Sequence, residues 1–232
     1  MNDQNPSLSN SVPWSARDVW YGVGIFGLWL AGTLALVLAA PRIPEQFDLG
    51  VLITAWELVL ILPAWWFAVR KYGVGWKSLG LTPFKADTLA VGCGLMLVSF
   101  GFNLFYNLFL MLFGLRAQMD LTVLFDQTSS PWLLLLGGVV IAPLAEEIFF
   151  RGFLFAGLRK RHDWKQAALV SAGLFAVLHL QPLTFLPIFL LGLVFAYLYH
   201  RSESIWPAVI MHMLTNGMSL GAAYLVSHFN LL

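Results

Sequence analysis

The stretch "WLLLLGGVVIAPLAEEIFFRGFLFAGL", Trp132–Leu158, decides how this chain is read. It is long enough to cross a bilayer, which takes about 20 apolar residues in a helix. Yet it carries Glu146, Glu147 and Arg151 in its second half. An Asp, Lys or Arg at the centre of a membrane helix costs ~2.5–3.5 kcal/mol on insertion scales. Three ionisable groups in one such helix therefore need a compensation or a use.

The rest of the chain is of the same kind. Of its 232 residues, 59% are hydrophobic and only 11% charged, far too few charges to cover a water-facing surface. Apolar blocks of spanning length recur at 19–40, 51–69, 88–113, 131–157, 166–180, 185–199 and 206–229. Prolines and charge clusters punctuate the gaps, and Trp20, Trp65, Trp66, Trp132, Trp164 and Trp206 fall near span ends, as an aromatic belt requires. The expected fold is all-α, a polytopic membrane helix bundle of about seven transmembrane helices in contact with the lipid bilayer. The fifth and sixth spans are short, which allows a bend or partial re-entry around Gln181–Pro187. A net charge of +1 gives no footing for nucleic acid. The single cysteine, Cys93, excludes an intrachain disulfide.

Residues 19–232 read as one transmembrane domain. Residues 1–18 are polar and rich in Pro, Ser and Asn, without the basic and apolar regions of a cleavable signal, and read as a flexible N-terminal tail. Lys and Arg set the orientation. The tail and the gaps after spans two, four and six hold ten of them, and the opposite side holds only Arg42 and Arg116. That asymmetry puts the N-terminus in the cytoplasm and the C-terminus outside.

Glu147 and Arg151 stand four apart, share a helical face and can neutralise each other. Glu146 points about 100° away and has no such local partner. A carboxylate left alone in an apolar setting is suited to general-base work. Two further polar pairs lie inside spans. "FAVLH" puts Phe175 and His179 on one face, and "HMLTN" puts His212 and Asn216 on another. Their depths agree: Glu146 lies ~18 Å, His179 ~20 Å, Asn216 ~15 Å and His212 ~9 Å from the cytoplasmic ends of their spans. One carboxylate, two imidazoles and an amide at one depth can activate a water and donate hydrogen bonds to an oxyanion. Hydrolysis of an acyl bond is the natural reaction class.

Other polar residues carry less. "GVGIFG", Gly22–Gly27, spells a dinucleotide fingerprint but lies inside a span, where helix packing is the better reading. Gly217 and Gly221 read the same way. Asn103, Asn107 and Glu57 are expected to act as interhelical glue, or to line a substrate cavity.

The strings "EEIFFR", "FAVLH" and "HMLTN" resemble the EExxxR, FxxxH and HxxxN motifs of the CPBP (Abi) family of CAAX prenyl proteases and bacteriocin-processing or self-immunity proteins. All three occur in order on successive helices, and the likeness covers about residues 131–220. The resemblance implies an intramembrane endopeptidase acting on a protein or peptide substrate. In the eukaryotic branch that substrate is prenylated, and the last three residues are released. In bacterial members it is often of another kind. By motif position, the resemblance makes Glu146 the water-activating residue, assisted by His179. It assigns His212 and Asn216 to the oxyanion, Glu147 and Arg151 to support, and Phe175 to the shape of the site. It also implies an integral protein of the bacterial cytoplasmic membrane.

The metal question stays open at this level. Glu146, His179 and His212 are acceptable ligands for zinc or another divalent metal by type. There is no H-E-x-x-H pattern, and a metal-free Glu-activated water fits the set as well. Two competing readings of the chain remain. One is a non-catalytic scaffold or self-immunity factor of the same fold. The other is a proton- or ion-coupled transporter, for which the inverted repeat is lacking.

Overall fold

The computed structural model describes residues 12–39, 48–117, 121–126 and 128–229. These residues form helices and no strands. Six helices are long and apolar enough to cross a membrane: α1 (Ala16–Ala39), α2 (Gly50–Arg70), α3 (Asp87–Met111), α4 (Pro131–Leu158), α6 (Pro182–Ser202) and α7 (Trp206–Phe229). A seventh, α5 (Trp164–Leu178), has 15 residues. The chain is an integral, multi-pass, all-α membrane bundle, as its hydropathy predicts.

Helix α4 is the centre. In its most apolar stretch 56% of residues are buried, against 17–33% for the other five long helices. Ile148 to Phe155 are all buried. Phe149 and Phe150 pack on Phe26 of α1, each at 5.5 Å, and Phe150 meets Phe175 of α5 edge-on at 5.4 Å. Lipid tails are as apolar as these rings, so close packing, rather than escape from water, holds the helices together. Gly152 shows how tight that packing is. A Cβ there would lie 2.5 Å from the backbone oxygen of Leu79, so the turn before α3 rests directly on α4.

Helix α5 is short because Pro182 follows it. Proline pushes the residue before it into extended backbone, and Gln181 has φ −123° and ψ 101°. The chain leaves the helix at His179, passes through Leu180 at φ 54° and turns back at Pro182–Thr184. The bend expected around 181–187 therefore sits at 179–184. Helix α6 then continues to Ser202, beyond the predicted end at 199.

Several expectations change. Residues 12–18, read as part of a flexible tail, pack onto α4, while residues 1–11 lie outside the described residues. Trp14 is fully buried and donates its Nε1–H to Phe153 O at 3.1 Å. Lys160 Nζ donates to the carbonyls of Val12 and Trp14 at 3.1 and 3.0 Å. Asp18 is buried and accepts from Ser15 Oγ and Tyr72 Oη at 2.7 and 2.6 Å. The polar composition of this segment concealed one tryptophan with a socket to fill. Asn107 Nδ2 donates to Asn103 Oδ1 within α3 at 2.8 Å. Of the "GVGIFG" glycines, Gly22 abuts Phe153. Gly24 and Gly27 have nothing within 4 Å of the place a Cβ would take, and the same holds for Gly221.

Candidate active site

Two wide, π-helical turns interrupt α4, at Gly137–Ile141 and Ile148–Phe155. Such turns are frequent at functional sites because they rotate side chains and loosen the backbone ladder. The first has a cause and a consequence. Ala142 N–H bonds back to Gly137 O, five residues earlier. In that register the next donor would serve Gly138 O, but it is Pro143, which has no N–H. Asn216 of α7 takes the orphaned carbonyl, donating from Nδ2 at 2.8 Å. Proline in one motif thus anchors the asparagine of another. The bond fixes the amide plane and leaves the second Nδ2–H for another partner.

Between the wide turns, α4 presents both glutamates. Glu147 is fully buried, and its Oε1 accepts from Arg151 Nη1 at 2.9 Å and from His212 Nδ1 at 3.0 Å. Arg151, also fully buried, donates Nη2 to Gly192 O at 3.0 Å. Its guanidinium lies 4.5 Å from the Phe175 ring centre and 5.2 Å from that of Phe195. The predicted Glu147–Arg151 pair therefore forms, with a carbonyl and two ring faces around it, while Arg151 Nε and Glu147 Oε2 are enclosed without a protein partner.

Glu146 is different. It is 4% exposed, and no protein group hydrogen-bonds its Oε2. The imidazole of His212 comes closest, with Nε2 3.9 Å from that oxygen. Both ends of the His212 ring are thus accounted for: Nδ1 on Glu147, Nε2 toward Glu146. The ring stacks on Phe195 at 5.0 Å and meets Phe175 edge-on at 5.5 Å.

His179 approaches from the end of α5. Its Nδ1 is 3.0 Å from Phe175 O, and its ring lies 5.2 Å from the Phe175 ring. A carbonyl only accepts, so Nδ1 carries the proton and the neutral ring presents Nε2 as a base. Phe175 touches both histidines and Arg151, so one ring sets the spacing of three polar groups.

Glu146, Glu147, Arg151, Phe175, His179, His212 and Asn216 therefore gather around one stretch of α4. Sequence reasoning missed two supports. Ser171 of α5 is buried and donates to Phe150 O at 2.9 Å, inside the second wide turn. Gly192 of α6 offers Arg151 its carbonyl and lets α5 approach, since a Cβ there would lie 2.9 Å from that of Ala172. A backbone acceptor leaves no mark in sequence, and a serine on an apolar helix is weak evidence. The candidate metal donors do not assemble into a binding cluster. Among the described residues no group of three or more His, Cys, Asp or Glu is arranged to hold an ion.

A helix bundle with a buried Glu–Arg–His network beside an unpartnered carboxylate defines the class: a membrane protein with an intramembrane polar centre. Comparison with known proteins relates one segment of the chain to a family. Residues 127–218 match the family described as type II CAAX prenyl endopeptidase Rce1-like, and the CPBP resemblance carried by the three motifs holds over that segment. The chain is 28% identical over 105 residues to a Bacillus subtilis protein named "Putative membrane peptidase YdiL", covering 45% of this chain and 43% of the relative. It is 36% identical over 107 residues to an "Uncharacterized 24.3 kDa protein" of Escherichia coli, covering 43% of this chain and 49% of the relative. The chain spans less than half the length of these curated relatives. No solved structure matches it.

Proposed function

We propose that this protein is an intramembrane endopeptidase that cleaves a lipidated or membrane-associated substrate near its C-terminus. The observation that carries the proposal is the contrast between two adjacent glutamates. Glu147 is held through Oε1 by Arg151 and His212 and keeps only Oε2 unbonded, while the Oε2 of Glu146 has no protein donor bonded to it and faces His212 Nε2 at 3.9 Å. A base needs such an oxygen.

In this mechanism Glu146 removes a proton from water, aided by His179 Nε2. The oxygen attacks the scissile carbonyl and forms the new C–O bond. His212 Nε2, when protonated, and the second Nδ2–H of Asn216 donate to the oxyanion. Glu147 balances the charge on His212. Collapse breaks the C–N bond, and the proton held by Glu146 passes to the leaving nitrogen. The Lys and Arg asymmetry of the sequence supports a cytoplasmic N-terminus, and the CPBP resemblance supports the bacterial cytoplasmic membrane as its location.

The test is cleavage of a farnesylated CaaX peptide by wild type and Glu146→Gln in proteoliposomes, with and without a chelator. The expected result is loss of cleavage in the variant by about 10²-fold or more at unchanged melting temperature. Loss with chelator, restored by zinc, would make the enzyme metal-dependent. Full biological activity in Glu146→Gln would leave a non-catalytic scaffold or self-immunity role instead.

A further inference from the structure

One half-buried acid is not used by this mechanism. Glu57 lies on α2, outside the segment that matches the family. Helix α2 has two occupied faces. Trp56 turns to α1, where it donates Nε1–H to Thr33 Oγ1 at 2.9 Å and stacks on Trp29 at 6.2 Å. Thr54 turns to α4 and abuts Gly137, at the start of the first wide turn. Glu57 follows Thr54 by three residues and shares its face, so it too is directed at α4. Its Oε2 is enclosed, and no protein group hydrogen-bonds it. The carboxylate lies within electrostatic range of Glu146. Enclosed carboxylate oxygens without protein donors thus occur on neighbouring helices, on Glu57 of α2 and on Glu146 and Glu147 of α4. Interhelical glue would have a partner. A buried polar group without one needs another explanation, and in a membrane bundle the default is function.

We propose that Glu57 is a positioning residue of the reaction centre, which with Glu146 orients the attacking water between α2 and α4. Water has two O–H groups, and two carboxylates can accept one each. That leaves a lone pair aimed at the substrate carbonyl. Glu146 takes its proton. The proton facing Glu57 stays on the oxygen that becomes part of the new carboxyl group, so Glu57 ends unchanged. The inference rests on the endopeptidase reading.

The experiment compares full-length wild type, Glu57→Leu and Glu57→Gln, reading melting temperature in detergent and cleavage of the farnesylated CaaX peptide. Glu57→Leu removes a half-buried acid whose enclosed Oε2 has no donor, so its melting temperature should equal or exceed that of wild type. Its kcat should fall about 10²-fold with KM within about twofold. Glu57→Gln keeps an acceptor oxygen and should recover most of the rate. An unchanged kcat in Glu57→Leu overturns the proposal, as does a fall in melting temperature that accompanies the loss of rate. If wild type cleaves nothing, the endopeptidase reading fails for this substrate. The melting temperature still decides Glu57: a drop in Glu57→Leu makes it structural glue and overturns the proposal, while a rise supports a functional placement.

Discussion

His212 Nδ1 lies 3.0 Å from Glu147 Oε1, which ties the third motif of the chain to the first across 65 residues of sequence. The same oxygen accepts from Arg151 at 2.9 Å. Glu147 is therefore the joint of the site, and its loss should be felt in stability before it is felt in chemistry. Glu147→Ala strands a fully buried guanidinium and should destabilise the protein by about 3–5 kcal/mol. Unfolding in detergent, followed by tryptophan fluorescence, checks this. A variant as stable as wild type would contradict the buried pair.

Asn216→Ala should act at two levels. It leaves Gly138 O without its donor, an expected loss of about 1–3 kcal/mol in stability. Under the proposed mechanism it also removes an oxyanion donor, with an expected loss of about 10²–10³ in kcat. Steady-state cleavage and thermal melting on the same preparation separate the two effects. Restoring an N–H to residue 143 should compensate the first: in the double variant with Pro143→Ala, the backbone can serve Gly138 itself and the stability loss should shrink.

Gly152→Ala should cost about 1–3 kcal/mol, because its methyl group meets backbone and not a movable side chain. Gly24→Ala is the control. Nothing lies within 4 Å of its Cβ position, and helix propensity alone predicts a gain of about 0.5–1 kcal/mol. Equal shifts in the two melting curves would show that the Leu79 turn does not rest on α4.

Asp48 gives a pH dependence outside the membrane spans. It caps α2 by accepting from Val51 N at 3.1 Å and holds the start of α4 through Ser129 Oγ at 2.7 Å and Thr128 Oγ1 at 3.0 Å. The Ser129 hydroxyl, opposed by partial burial and aided by the Val51 and Ser129 N–H groups and Thr128, pulls its carboxyl down from 3.8 to about 2. A lowered carboxyl stabilises the fold fully above its unfolded value and loses that contribution as pH falls through the folded one. The melting difference between wild type and Asp48→Asn should therefore be constant above about pH 5 and shrink between about pH 4 and 2. A difference that does not change with pH would contradict these bonds.

Much of the protein was legible in its sequence. Hydropathy alone gives a membrane bundle, since apolar runs of spanning length have no other stable setting. Helical spacing alone gives the Glu147–Arg151 pair, because residues four apart must meet. The motif strings give the residues that gather on α4. Tertiary structure decided the rest. That Glu147 Oε1 takes two donors while Glu146 has His212 Nε2 only at 3.9 Å depends on where α7 places His212, and no local spacing encodes that distance. Trp14 read as part of a loose tail because its socket, beside Phe153, lies 139 residues away. Asn216 found its carbonyl because Pro143 withholds an N–H in a wide turn, which depends on the backbone register of a different helix. Glu57 reads as interhelical glue in sequence, and only the contact of Thr54 with Gly137 shows which helix that face of α2 meets. Sequence determines what is near along a helix. Which helix faces which is settled only when the packed bundle satisfies its buried polar groups together.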